Sequence, residues 1–171
     1  SFLNNNIHVE GIKNIDKEDI DYANKLGFKI KLLGYAESID QKIYQRVHPT
    51  LINKDSYVAS IDGVLNAVIV NGRPIGKTII QGEGAGAAAT TSALISDISS
   101  ILRGNIKFPF SISHNERKKL KFSNISNRIF SAYLRFEVID KSGVLSNITN
   151  IFSKNKVSIK RLIQTPNRKR N

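Results

Sequence analysis

Two segments of this chain carry one and the same apolar stripe. Leu94, Ile95, Ile98, Ile101 and Leu102 fall at i, i+1, i+4, i+7 and i+8, and Val144, Leu145, Ile148, Ile151 and Phe152 repeat that spacing. At 3.6 residues per turn each set lines one side of a helix, and a stripe of that width has to be covered by a sheet or by another helix. The chain must therefore supply, or meet, apolar faces beside both segments.

Sheet material lies on the N-terminal side of the first stripe. Phe28, Ile30 and Leu32 alternate with Lys29, Lys31 and Leu33, the period of a half-buried strand. Residues 44–52, YQRVHPTLI, are strand-like too, and Pro49 withholds a ladder donor, which places them at an edge or a strand end. Residues 63–82 hold two apolar runs around Asn71-Gly72; a type I′ turn needs residues tolerant of positive φ, so a hairpin turning at those two residues is predicted. Ahead of these, Asp16 with Glu18 and Asp19 marks a helix start, and Gly27 closes that helix in the left-handed conformation. Arg103 and Gly104 end the Leu94 helix in the same manner.

The second stripe has its own sheet material. Ala132, Leu134, Phe136 and Val138 alternate with Tyr133, Arg135 and Glu137, a turn follows at Asp140–Gly143, and residues 157–164 alternate again after the helix. This is a βαβ unit of about 35 residues. By itself such a unit leaves its sheet edge and much of its apolar face uncovered, so it reads as part of a larger domain.

Charge separates the two regions. Residues 1–103 hold equal numbers of basic and acidic side chains, whereas residues 104–171 carry the entire net charge of +12. The predicted organisation is a first domain over 1–104, a linker over 105–128, a partial domain over 129–165 and a basic tail over 166–171. The fold class is α+β, a mixed β-sheet with helices on one face, followed by half of a ferredoxin-like unit.

Several chemistries are excluded or weakened by composition. The chain has no cysteine, so disulfides, thiol nucleophiles and thiolate metal sites are ruled out, and His8, His48 and His114 stand too far apart in sequence to suggest a metal centre. No apolar run approaches the ~18 residues of a membrane span, and a cytoplasmic protein is expected. Nucleic acid is not the expected partner, because the basic half adds only Phe108, Phe110 and Phe122 for stacking beyond its apolar pattern. With no methionine at position 1, a piece of a longer chain is expected. His48 beside Pro49 is read as a structural histidine, Asn66 as a residue satisfying backbone groups, and Glu83 is left unassigned.

The stretch 82-GEGAGAAATTSALISDI-98 poses the functional question. A glycine-rich turn feeding a helix brings backbone N–H groups close to an anion, and it is equally a tight turn. A dinucleotide fingerprint is not present: Gly82 and Gly84 stand in the register of its first two glycines, but Ala87 replaces the third and the turn follows a hairpin strand. In context the stretch says more. Gly11-Ile12, 29-KIKLLGYAE-37, 47-VHPTLI-52, 61-IDGVLNAVIV-70 and the glycine turn resemble, in order and spacing, the substrate-binding and dimerisation domain of homoserine dehydrogenase over about residues 7–104. The segment from Ser131 to Thr165, with Asp140, Gly143-Val144-Leu145 and Val157-Ser158-Ile159, is similar to the first half of an ACT domain, an amino-acid-sensing βαββαβ module.

The resemblance implies an NADP- or NAD-dependent oxidoreductase that interconverts L-aspartate 4-semialdehyde and L-homoserine, on the way to threonine, methionine and isoleucine, and that works as a homodimer. It implies that the dinucleotide-binding domain and the catalytic lysines belong to a part of the protein ahead of residue 1. This chain then holds no catalytic residue and should be inactive alone. Gly86, with Gly84 and Ala85 beside it, would flank the cofactor near the nicotinamide. Asp140, Gly143 and Gln164 would face an effector, threonine being the family's usual one. The alternative is an amino-acid-sensing regulatory protein without catalysis.

Overall fold

The computed structural model describes residues 7–105, 112–123 and 128–165. Pro109, Phe108, Phe110 and the basic tail therefore lie outside the described residues. The elements in chain order are β1 (His8–Val9), α1 (Lys17–Lys25), β2 (Phe28–Ile39), β3 (Lys42–Asn53), β4 (Leu65–Gly72), β5 (Gly76–Glu83), α2 (Ala87–Leu102), β6 (Lys121–Phe122) and α3 (Val144–Lys154). Short 3-10 turns at Tyr57–Ser60 and His114–Glu116 complete the set.

Helix α1 begins and ends where local chemistry directs. Asp19 accepts the Asp16 backbone N–H at 2.9 Å, which satisfies a donor at the helix start. At the other end the Leu26 and Gly27 N–H groups donate to Tyr22 and Asn24, and Gly27 takes the left-handed φ of 83°. The helix packs on β2, with Ala23 almost fully buried.

Strands β2 and β3 form a twelve-pair antiparallel hairpin from Phe28 opposite Asn53 to Ile39 opposite Lys42. Its two-residue turn is Asp40-Gln41, both at positive φ. On the far edge of β3, β1 pairs in parallel with Arg46 and Val47, and β6 pairs in parallel with Lys42 and Ile43. The sheet is mixed, as expected. The region read as a linker thus contributes β6 to it. Pro49 sits opposite Leu32 in the stretch of β3 that has β2 as its single neighbour among the described residues, so the missing donor costs no ladder bond on the other side.

Strands β4 and β5 pair with each other as a separate two-stranded sheet. Their turn departs from the sequence expectation. Asn71 and Gly72 are paired, with Lys77 and Gly76, and the chain reverses at Arg73-Pro74-Ile75. Proline has no N–H to give a ladder, and Gly72 leaves room for Ile75, whose Cγ2 would lie 3.2 Å from a Cβ at that position. The glycine that signalled a type I′ turn serves the loop beyond it.

The stripe of α2 finds no cover within the described chain: Leu94, Ile95, Ile98, Ile101 and Leu102 are between 52% and 82% exposed. On either side of α3, residues 129–140 and 157–165 form no ladder with each other, unlike the strands read there. Lys160 Nζ donates across them to Ser131 Oγ at 3.1 Å, and Phe136 meets Phe152 of α3 with ring centroids 6.2 Å apart. Two lone strands with neither a third strand nor a covered face have little to hold them in register.

Arg128, Arg135 and Arg161 join the C-terminal part of the chain to α1 and the β2–β3 hairpin. Arg135 reaches three carboxylates around the start of α1, with Nη2 on Asp16 at 2.8 Å, Nη1 on Glu18 at 2.9 Å and Nε on Asp19 at 2.7 Å. Arg128 pairs with Glu37 and lies over Tyr44, while Arg161 donates to the Leu26 carbonyl and lies over Phe28. Asp19 is buried, and Tyr133 also donates to it, at 3.0 Å. Burial pushes the Asp19 carboxyl up, but the Asp16 amide, the Tyr133 hydroxyl and Arg135 outweigh it and hold it below the usual carboxylate value. Burial first, and then the Asp19 carboxylate, push the Tyr133 hydroxyl up to about 12.

In the full-length protein, Asp19→Asn should lower stability at pH 7 by roughly 1–3 kcal/mol. A carboxylate whose folded pKa is depressed stabilises above the ordinary value near ~3.9 and loses that contribution as pH falls through its folded pKa. Urea unfolding should therefore show a smaller difference between the native protein and the variant at pH 3 than at pH 7; an equal difference at both contradicts the assignment.

Candidate functional site

The β4–β5 ladder delivers the glycine turn to the start of α2. Asn66 pairs with Gly82 and Leu65 with Glu83, and the Gly84 N–H donates to the Val64 carbonyl at 2.8 Å, so the turn leaves the ladder after Gly84. Gly86 is the N-cap of α2, at φ 120° and ψ 144°, and its carbonyl accepts the Thr90 N–H at 3.1 Å. That backbone conformation is one glycine adopts readily and other residues do not. All of residues 82–87 are exposed.

The three glycines differ in what surrounds them. A Cβ added at Gly82 or at Gly86 would meet nothing within 4 Å. A Cβ added at Gly84 would fall in the space of the Asn66 side-chain amide, with the Asn66 Cβ 3.3 Å away. The open backbone at Gly86 and the free N–H groups at the start of a sixteen-residue helix fit one flank of an anionic, flat-ringed ligand. They fit a flank and no more, because residues 82–87 are all exposed and line neither the cleft at Asn14–Glu137 nor the one at Asn71–Lys77.

One of those clefts, ≈ 430 Å³, is lined by Asn14, Ile15, Asp19, Tyr133, Leu134, Arg135 and Glu137. It is the seam where the C-terminal segment meets α1. Its arginine and its buried aspartate are already committed to each other, so it offers no reactive pair. Sequence reading missed this cluster: Arg135 and Asp19 are 116 residues apart, and the only local sign was that Tyr133, Arg135 and Glu137 share the polar face of one alternation.

Arg46 was missed as well. Its guanidinium carbon lies 4.5 Å from the Phe130 ring centroid, 5.3 Å from that of Tyr35 and 5.8 Å from that of Tyr44. The Arg46 Nε and the Tyr44 hydroxyl are buried with no hydrogen-bond partner among the described residues, and the aromatic faces take the place of an acceptor for the cation. Lys29 and Lys31 both hold Asp62 at 2.7 Å, and these two ammonium groups, through their hydrogen bonds first, pull the Asp62 carboxyl down to about 2.

His48, read as a structural histidine, directs Nδ1 to the Pro49 carbonyl at 2.7 Å. Asn66 is not as read; it is exposed, and its side chain makes no hydrogen bond among the described residues. Asp140 and Gly143 share the turn before α3, with Gly143 at φ 89° as N-cap and its carbonyl accepting the Asn147 N–H at 3.0 Å. Gln164 is exposed on the other flank of α3, and no hydrogen bond among the described residues joins it to Asp140 or Gly143.

Comparison with known proteins bears on the same residues. A family model described as homoserine dehydrogenase matches residues 2–99. The homoserine dehydrogenase of Helicobacter pylori is 36% identical over 158 residues, covering 92% of this chain and 37% of that protein. That of Neisseria gonorrhoeae is 38% identical over 166 residues, covering 92% of this chain and 38% of that protein. Among solved structures, a homoserine dehydrogenase from Thiobacillus denitrificans superposes with a TM-score of 0.71 at 31% identity, over 94% of this chain and 38% of that one. The chain thus spans well under half the length of the relatives it matches.

The backbone at Gly86 yields a stability prediction. Gly86→Ala should cost roughly 1–3 kcal/mol because alanine must adopt a conformation it disfavours, whereas Gly82→Ala, at ordinary φ with open space, should change stability by less than about 0.5 kcal/mol. Thermal unfolding of the two variants in the full-length protein checks this; equal effects would show that the Gly86 conformation carries no cost.

Proposed function

The chain belongs to the homoserine dehydrogenase family, and on that premise we propose that it forms part of an oxidoreductase interconverting L-aspartate 4-semialdehyde and L-homoserine with NAD or NADP. What supports this reading most is the ordered match over residues 2–99, which includes the exposed glycine turn. When bound, the dinucleotide exchanges a hydride with the carbonyl carbon of the semialdehyde.

In this reading the chain's own share is to wall the site. Gly86 gives an approach free of side chain, Ala85 and Gly84 border it, and the grip on the phosphates and on the ribose belongs to residues outside this chain. The acid that protonates the carbonyl oxygen also lies outside it. Lys29 and Lys31, the lysines of β2, are held by Asp62 and by the Ala59 and Ile61 carbonyls, which leaves neither ammonium directed at a ligand.

The exposed apolar faces of α2 and of the β4–β5 sheet are the surface for a homodimer and for the rest of the enzyme. Val68, Val70 and Ile80, together with the α2 stripe, are all open. Residues 1–104 act as the substrate and dimerisation domain, and residues 129–165 as half of an effector-sensing unit, with Asp140, Gly143 and Gln164 facing threonine. The place of action is the cytoplasm; no helix among the described residues is long and apolar enough to cross a membrane.

Incubating the full-length protein with aspartate semialdehyde and NADH or NADPH should consume the reduced cofactor, read as loss of absorbance at the nicotinamide band. No consumption with either cofactor would refute the reading.

A further inference from the structure

The register of the β4–β5 ladder places Asn66 beside the glycine turn. It pairs with Gly82 and its side chain extends toward Gly84, two residues on along the partner strand. Of the three glycines, Gly84 is the one whose side chain would collide with another, since the Asn66 amide occupies that space. Its φ is not in the left-handed region, so backbone conformation does not demand glycine there. Asn66 in turn satisfies no backbone group: the ladder and the Gly84–Val64 bond already take the nearby N–H and carbonyl groups, and its own amide is exposed and unengaged among the described residues. Whatever approaches the turn at Gly84 therefore meets an amide.

We propose that the Asn66 side-chain amide is the group this turn offers to the carboxamide of the nicotinamide ring, and that Gly84 is bare so that the amide can lie there. This rests on the dinucleotide reading given above. The chemistry is matched: a primary amide carries a donor and an acceptor side by side, and another carboxamide meets both. The contact is neutral and lies at the nicotinamide end, away from the adenosine 2′ position that distinguishes NADP from NAD, so it serves both alike.

The test measures dinucleotide affinity in the full-length protein by the fluorescence of NADH and NADPH, with homoserine oxidation followed in parallel. Asn66→Ala and the isosteric Asn66→Asp should each weaken binding of both cofactors about tenfold, the scale of one or two neutral hydrogen bonds. The KM for homoserine should stay within about twofold. ADP-ribose, which lacks the nicotinamide, should bind the native protein and the variants equally. Gly84→Ala should produce the same loss by displacing the amide, and the pair Asn66→Ala with Gly84→Ala should bind no more weakly than Asn66→Ala alone. Unchanged affinity in Asn66→Asp, an equal loss for ADP-ribose, or losses that multiply in the double variant would each overturn the proposal while leaving the dehydrogenase reading intact. A native protein that binds neither cofactor would overturn both.

Discussion

The hairpin of β2 and β3 is the constraint on which the described structure depends. Its twelve continuous pairs give α1 a surface, give β1 and β6 an edge to join, and bring Glu37, Tyr44 and Arg46 into line for Arg128 and Phe130. The side chains add little by comparison. Among the described residues, Ala23, Tyr44 and Ala59 are the buried apolar side chains, and the accessible surface of 14993 Å² is far above the about 8,400 Å² expected of a compact monomer of this mass. The chain is held by its backbone ladder and by polar clamps, with its large apolar faces turned outward. Such a fold draws its remaining stability from whatever covers those faces.

That state of affairs bears on how the glycine turn works. The turn hangs from a two-stranded sheet and opens into an uncovered helix, so its shape is set by the β4–β5 register and by single residues. Gly82, Gly84 and Gly86 look alike in sequence and meet three different needs: a ladder position opposite Asn66, room for the Asn66 amide, and a backbone conformation at the helix start. A motif described only by its glycine spacing merges these needs.

Sequence legibility follows the range of the interactions concerned. The start of α1 at Asp16 and its end at Gly27 are decided within one turn of helix, and both were readable. The alternation of β2 and the stripes of α2 and α3 were readable for the same reason. The Asp40-Gln41 turn was not, because glutamine is no habitual left-handed residue and the twelve-pair ladder imposes the conformation on it. Asn71-Gly72 misled because Pro74 and Ile75 shift the reversal onward. The strands expected around α3 did not pair, since a ladder requires partners that alternation cannot supply. The Asp19–Arg135 clamp, the Arg46 aromatic cluster and the approach of Asn66 to Gly84 join residues from different elements, and no local pattern announces them.

In the proposed enzyme the backbone at Gly84, Ala85 and Gly86 lies against a nicotinamide dinucleotide. Hydrogen–deuterium exchange of the full-length protein, with and without saturating NADPH or NADH, addresses it directly. The account predicts that amides at the end of β5 and the start of α2 exchange more slowly with cofactor present, while those of the β2–β3 turn keep their rate. Unchanged exchange at residues 84–86 under saturation would contradict it.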